Sequence, residues 1–325
     1  MKLPRRQFLH LAAGAAALPA LSRIARAQAY PTRPVRILVG FPAGGAPDLS
    51  ARLIGQRLSE RLGQPFIIEN RSGAGGNIAT EAVVRAPADG YTLLLVGSVN
   101  AVNTTLYDRL SFNFVREIAP VAGIVRVPQV MEVNPSFPAN TVLEFIAYAK
   151  ANPRTINMAS GGNGTPSHLN GELFKMITGI NLVHVPYRGV APALTDLIGG
   201  QVQVMFGGLA GSIEYFKAGK LRALAVTTAR RVEALPDVPS LGEFVPNYEV
   251  SGWQGIGAPK NTPIEIIQTL NKEINIALAD PAFNARIAEL GAEAFPGSPT
   301  DFGKLIEDET EKWAKVVKFA NIKPG

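Results

Sequence analysis

Two clusters of small residues in this chain have the composition of an anion cradle. The first, Phe41-Pro42-Ala43-Gly44-Gly45, follows the apolar run Val35 to Val39 and precedes Asp48. The second, Ser160-Gly161-Gly162-Asn163-Gly164-Thr165, follows Asn157-Met158-Ala159 and precedes Pro166, Ser167 and His168. Glycine lets a backbone approach a ligand closely, and the free N–H groups at a helix start carry partial positive charge, so each loop can hold an anionic group. Either loop taken alone also fits a tight strand-to-helix turn. Both, however, follow the first strand of their half, where open α/β sheets place ligands outside the carboxyl ends of the strands. The pair therefore reads as a clamp for a small carboxylate.

Other chemistry fits less well. Counting from Gly40, Pro42 stands where the second glycine of G-x-G-x-x-G belongs, and Gly73-x-Gly75 puts Ile78 at the last position, so a dinucleotide fingerprint fails twice. Neither cluster is followed by the Gly-Lys-Ser/Thr of a P-loop. After residue 29 the imidazoles are His168 and His184. Ser167 directly precedes His168, so the two cannot face each other along a helix, and there is no G-x-S-x-G elbow. His168, near the third position of its helix, reads as a capping or hydrogen-bonding side chain. His184, inside Leu182-Val183-His184-Val185-Pro186, reads as a satisfied strand residue. No cluster has metal-ligand spacing, and the absence of cysteine excludes disulfides and thiolate sites. The expectation is a protein with neither metal nor cofactor.

The ends of the chain bear on where it works. Residues 1–29 carry Arg5-Arg6-Gln7-Phe8-Leu9, an Ala/Leu-rich stretch to Leu21 and a terminal Ala27-Gln28-Ala29, the pattern of a cleaved export signal of twin-arginine type. The apolar stretch falls short of the ~20 residues that span a bilayer. The signal holds five of the 32 basic residues and no acidic one, so the rest has 27 basic against 26 acidic side chains. The sequence pI of about 9.5 is thus largely the signal's, and no basic stripe with interleaved aromatics points to nucleic acid. The expected setting is the periplasm.

The elements that must position the loops alternate strand-like runs with helical periodicity, the mark of an α/β fold. A helix capped by Asp48 carries Leu49, Leu53, Leu58 and Leu62 on one face and stops at Gly63. Strands follow at Phe66 to Glu69 and Thr92 to Val96, with a helix near Ile78 to Arg85 between them. Two apolar runs broken by Pro128 lie between Ile118 and Val133, and there the chain crosses to a second half. That half has a helix at Val142 to Ala151, then Thr165 as N-cap and Pro166 at the first position of a helix with Leu169, Leu173 and Ile177 as its stripe. Leu182 to Val185, Val190 to Ile198, Val202 to Phe206, Gly211 to Ala218 and Leu221 to Thr227 continue the alternation. Thr262-Pro263-Ile264-Glu265 and Ser298-Pro299-Thr300-Asp301 match capping boxes opening tail helices that pack back on the first half.

The wording of the chain resembles the Bug family, the periplasmic solute receptors of tripartite tricarboxylate transporters. Tyr30-Pro31-x-Arg33-Pro34, Phe41-Pro42-Ala43-Gly44-Gly45, Glu69-Asn70-Arg71 with Gly73-Ala74-Gly75-Gly76-Asn77, and Asp89-Gly90-Tyr91-Thr92-Leu93-Leu94 carry the likeness in the first half. Ser167-His168-Leu169 with Gly171-Glu172-Leu173-Phe174, Val185-Pro186-Tyr187, Ala191-Pro192-Ala193-Leu194-Thr195-Asp196-Leu197, Ala223-Leu224-Ala225-Val226-Thr227 and Leu235-Pro236-Asp237-Val238-Pro239-Ser240 carry it in the second.

The resemblance implies a two-domain periplasmic-binding-protein fold of type II kind, with a ligand cleft between residues 30–130 plus 255–325 and residues 131–254. It implies a monomer that captures a small organic carboxylate without catalysis and meets membrane transporter subunits transiently. The expected contacts are Phe41, Pro42, Ala43, Gly44, Gly45 and Asp48 in the first half, with Ser98. From the second half come Ser160, Gly161, Gly162, Asn163, Gly164 and Thr165, then His168, Tyr187 and Gly207. Two departures matter. Pro47 before Asp48 removes a donor and stiffens the first loop, and Gly207-Gly208 after Phe206 stands where many members have Asp-Asn. A missing carboxylate at 207 disfavours an ammonium-bearing ligand, and two glycines enlarge that end of the pocket. Feeding a sensor kinase rather than a transporter remains open at this level, as does a periplasmic hydrolase or isomerase.

Overall fold

The computed structural model describes residues 30–324; the expected export signal lies outside the described residues. The chain runs β1 (Val35–Val39), α1 (Ala46–Leu62), β2 (Phe66–Asn70), a 3-10 turn at Ala74–Gly76, α2 (Asn77–Val84), β3 (Thr92–Gly97), α3 (Ser98–Leu106) and α4 (Phe114–Glu117). It continues with β4 (Ile118–Val133), α5 (Val142–Ala151), β5 (Asn157–Ser160), α6 (Pro166–Thr178), β6 (Val183–Pro186), α7 (Val190–Ile198), β7 (Val204–Gly208), α8 (Leu209–Lys217) and β8 (Arg222–Val226). The tail holds β9 (Ser251–Pro259), α9 (Ile264–Leu278), α10 (Pro281–Glu289), β10 (Glu293–Ala294) and α11 (Pro299–Phe319).

The strands join in the order β2-β1-β3-β9-β4-β7-β5-β6, with β8 and β10 also paired to β4. The outer groups β2-β1-β3 and β7-β5-β6 are parallel, as strand-helix-strand crossovers require. The middle is antiparallel, and β4 belongs to both sides. From Ile118 to Pro128 it pairs with β9, and from Gln129 to Val133 with β7. Pro128 thus does not end the strand between the two apolar runs; it marks where the strand changes partner.

Local chemistry explains most element ends. Gly63 closes α1 in the left-handed region (φ 71°), its N–H donating to the Ser59 carbonyl. Ser298 and Asp301 form the expected capping box on α11. Three expected caps differ. Asp48 lies within the first turn of α1 behind Gly45 as N-cap, because its carboxylate reaches back to the Gly44 N–H. Thr165 is the N-cap of α6, but its hydroxyl turns to the Gly162 carbonyl (2.6 Å). Thr262 donates to the Pro259 carbonyl, leaving Pro263 as the N-cap of α9. Leu49 and Ile177, placed on buried stripes by periodicity, are 40% and 36% exposed, since each lies at the edge of its helix's apolar face.

One apolar core crosses both strand groups. Leu94 and Val96 of β3, Met131 of β4, Phe174 of α6, Phe206 of β7, Trp253 of β9 and Trp313 of α11 belong to a single cluster. Within it Phe174 meets Phe145, Phe206 and Tyr248 at ring separations of 5.5 to 6.2 Å, in tilted and edge-on arrangements. Truncating such a residue to alanine costs about 3–5 kcal/mol. A second cluster fills the space between β1–β3 and the helices α1 and α9, with Ile54, Leu58, Leu270 and Ile274 at its centre. The α11 helix packs on α3, β4 and α6, so the tail reaches elements of both groups.

Candidate functional site

The first loop is held open from beneath by Asp48. This residue is 1% exposed, and its carboxylate accepts from the Gly44 N–H (2.8 Å), Arg52 Nε (2.9 Å) and Asn70 Nδ2 (2.9 Å). Asn70 also donates to the Phe41 carbonyl (3.0 Å). The Arg52 hydrogen bond above all holds the Asp48 carboxyl down at about 2. Asp48 is therefore a scaffold for the loop, and it engages the Gly44 N–H that the sequence left free for a ligand. Pro42, Ala43, Gly44 and Gly45 are exposed, while Phe41 packs its ring against the core below β1. Gly44 takes φ +83°, a conformation that other residues adopt only with strain.

The second loop is tied together even more closely. Gly161 N–H donates to Ser167 Oγ (2.9 Å), Gly162 N–H to Ser160 Oγ (3.1 Å) and Gly164 N–H to His168 Nδ1 (3.1 Å). Ser160 Oγ also meets His184 Nε2 at 2.6 Å. His168 and His184 stack face to face, with centroids 3.7 Å apart and planes within 6°. Since His168 Nδ1 accepts, its proton lies on Nε2, facing Glu172 Oε1 at 3.7 Å; Lys175 Nζ pairs with the same oxygen at 2.8 Å. Burial, with His168 alongside, holds the His184 imidazole down at about 4. Sequence reasoning excluded Ser167–His168 as a pair and missed Ser160–His184, which only the parallel pairing of β5 with β6 brings together.

With those N–H groups engaged, the donors left by hydrogen bonding among the described residues are those of Phe41, Ala43, Gly45, Ala46 and Asp48 in the first loop, and of Asn163, Ser167 and His168 in the second. Pro47 and Pro166 contribute none. Tyr187 supports the second loop through its backbone: its N–H donates to the Ser160 carbonyl (2.9 Å). Its hydroxyl donates to Asp196 Oδ2 (2.6 Å), which engages the ring's polar end and pushes the phenol up to about 12.

Gly207 is a correction. A Cβ there would collide with Glu132 Oε1, so the space opened by the glycine is filled by a carboxyl from β4. Glu132 is fully buried, neither oxygen has a hydrogen-bond partner among the described residues, and burial pushes its pKa up to about 8. That end of the second group is closed and holds a neutral acid. The lone carboxyl in Val130-Met131-Glu132-Val133 was the signal that could have found it.

Between the strand groups lies a cavity of about 30 Å³, lined by Ser98, Val99 and Val102 of α3, Trp313 of α11 and Ser251 and Gly252 of β9. From the other side come Gln129 of β4 and Gly164, Pro166, Leu169 and Asn170 at the start of α6. Two helix N-termini, those of α3 and α6, meet at this space. Of the expected contacts it gathers Ser98 and Gly164; none of its lining residues comes from Phe41–Gly45. Gly164 also approaches Leu106 of α3 across the interface. Gln129, Asn170, Ser251 and Trp313 were not expected, since a polar residue on a helix stripe or beside a proline carries no sequence mark of a cavity. Among the described residues no group of three or more His, Cys, Asp or Glu is placed to hold a metal ion, and no helix is long and apolar enough to cross a membrane.

An α/β chain whose two strand groups share one strand and enclose a cavity fronted by helix starts has the build of a bilobal solute-binding protein. Residues 50–322 match the family described as tripartite tricarboxylate transporter family receptor, TctC, and the chain belongs to that family of solute-binding receptors. Protein BugT of Bordetella pertussis is 37% identical over 300 residues, 91% of this chain and 92% of its own. Among solved structures, Rpa4515 of R. palustris with adipate is 40% identical, with a TM-score of 0.74 over 91% of this chain and 100% of that one. MatC of Rhodopseudomonas palustris with bound malate is 31% identical, with a TM-score of 0.71 over 89% and 100%. The resemblance read from the motifs is borne out.

Proposed function

We propose that this receptor captures a small carboxylate lacking an amine, closes two lobes over it and delivers it to a membrane transporter of the tripartite tricarboxylate type. The lobes are residues 30–130 with 255–325, and 131–254; export through residues 1–29 puts the protein in the periplasm, where it acts as a monomer and not as an enzyme. The observation that carries this reading is the meeting of the α3 and α6 N-termini at one cavity between the strand groups, next to the Ser167 and His168 N–H donors. In this reading the carboxylate lies against the remaining N–H groups of the two loops, and contacts to both lobes favour closure by differential affinity. The adipate and malate held by the related receptors are both amine-free dicarboxylates, which supports the ligand class. The Ser160–His184 pair does not favour a hydrolase: Ser160 is inaccessible and its hydroxyl is engaged by the loop.

Titration calorimetry with succinate, adipate and malate against aspartate and glutamate tests the reading. Binding of at least one amine-free acid is expected, with aspartate and glutamate weaker; tight binding of an amino acid, or turnover of any bound acid, would overturn it.

A further inference from the structure

One polar atom at the interlobe cavity has no partner. Asn170, in the first half of α6 and 1% exposed, lines the cavity, and its Nδ2 donates to Gln129 Oε1 (3.3 Å). Its Oδ1 is buried and has no hydrogen-bond partner among the described residues. The Tyr248 hydroxyl donates to the Asn170 carbonyl (3.0 Å), fixing that turn of the helix against the core. A buried acceptor without a donor is costly, and the group that removes the penalty must itself donate. We infer that Asn170 is a specificity residue that reads a hydroxyl on the bound carboxylate, selecting a hydroxy acid over its deoxy counterpart. The inference rests on the carboxylate reading above and narrows it.

Three observations choose a hydroxyl among the possible donors. A carboxylate brings only acceptors and cannot serve Oδ1. An ammonium is disfavoured because no acidic side chain lines the cavity, and the two helix starts facing it carry partial positive charge. The volume of about 30 Å³ has room for one hydroxyl or a water molecule and is too small for a second carboxylate. Ser98 and Ser251 on the facing wall supply donors for the lone pairs of such an oxygen.

The test is calorimetry with two matched pairs, malate with succinate and 3-hydroxyadipate with adipate, on the wild type and on Asn170→Leu. In the wild type the hydroxy acid of at least one pair is expected to bind about tenfold more tightly than its partner, the scale of one buried hydrogen bond. In Asn170→Leu that ratio falls to near one, whatever the change in the affinity common to both acids. Equal affinities within both pairs in the wild type overturn the inference and leave the carboxylate reading standing, as does a ratio that survives in Asn170→Leu. Failure of all four acids to bind the wild type overturns both. Should Asn170→Leu not fold, the wild-type ratios together with Asn170→Ser, which keeps a smaller acceptor, decide it: an undiminished ratio in that variant counts against the assignment.

Discussion

Trp253 and Trp313 donate their ring N–H groups to the same carboxylate oxygen, Glu309 Oε2, at 3.4 and 2.7 Å. They are the two tryptophans of the chain, one on β9 and one on α11, and Trp313 lines the interlobe cavity. Glu309, itself 5% exposed and paired with Lys312, fastens the tail helix to the strand that runs beside β4.

Ligand binding should therefore change tryptophan emission without any label, because one of the two indoles borders the cavity. A titration with the best ligand from calorimetry is expected to shift or quench emission with the same midpoint. Glu309→Ala leaves two buried indole N–H groups unpaired and should lower stability by about 2–4 kcal/mol, read from the urea midpoint.

Glycine is required at the second loop for a geometric reason. Gly162 has φ +126°, and a Cβ there would come within 3.2 Å of the Tyr187 carbonyl. Gly162→Val should weaken ligand binding at least tenfold while the far-ultraviolet dichroism stays that of the wild type. At Gly44 the space around a Cβ is open, so Gly44→Val acts only through its φ of +83°, a strain of about 1–2 kcal/mol, and should have the smaller effect. Equal affinity in both variants and the wild type would reduce the loops to turns.

One buried and one half-buried group set opposite slopes of stability against pH. The unfolded chain releases the Glu132 proton near 4.5, but the folded protein keeps it until about 8, so stability falls as pH rises across that range. The unfolded chain protonates His184 near 6.5, but the folded protein resists until about 4, so stability falls as pH drops from 6.5 to 4. The melting temperature should be nearly level between about 4.5 and 6.5 and decline on both sides. Glu132→Gln should remove the alkaline decline and let stability rise from about pH 4 to 6.5, whereas His184→Gln should tilt the plateau so that stability falls continuously from about pH 4.5 to 8.

Asp48 gives a third expectation. Its carboxyl, held at about 2, contributes stability that is complete above the ordinary carboxylate value near 4 and is lost as pH falls through about 2. Asp48→Ala removes acceptors from Gly44, Arg52 and Asn70 together, at a cost of about 2–4 kcal/mol, and loosens the first loop. Thermal unfolding and ligand affinity should both fall.

Strands β1 and β3 and helices α5 and α7 were legible in the sequence because their period and caps are local properties. The two loops were legible as positions but not as donor sets. Nothing in Gly44 or Gly164 says that Asp48 and His168, four residues on, take up their N–H groups. The His168–His184 stack and the Asn170–Gln129 bond join residues 16 and 41 apart in the chain, and only the packing of α6 on the sheet creates them. Glu132 was in plain view among apolar neighbours, whereas the space left by Gly207 became its counterpart only once β4 had paired with β7.

The partner change on β4 has a mechanical consequence. Pro128 brings no N–H to the ladder, so the point where pairing passes from β9 to β7 lacks one rung, while the strand remains covalently continuous across it. A torsion bar with one weakened collar bends there first. Any tilt of one strand group about this point passes from β4 across the sheet, through β9, β3 and β1 to β2 on one side and through β7 and β5 to β6 on the other.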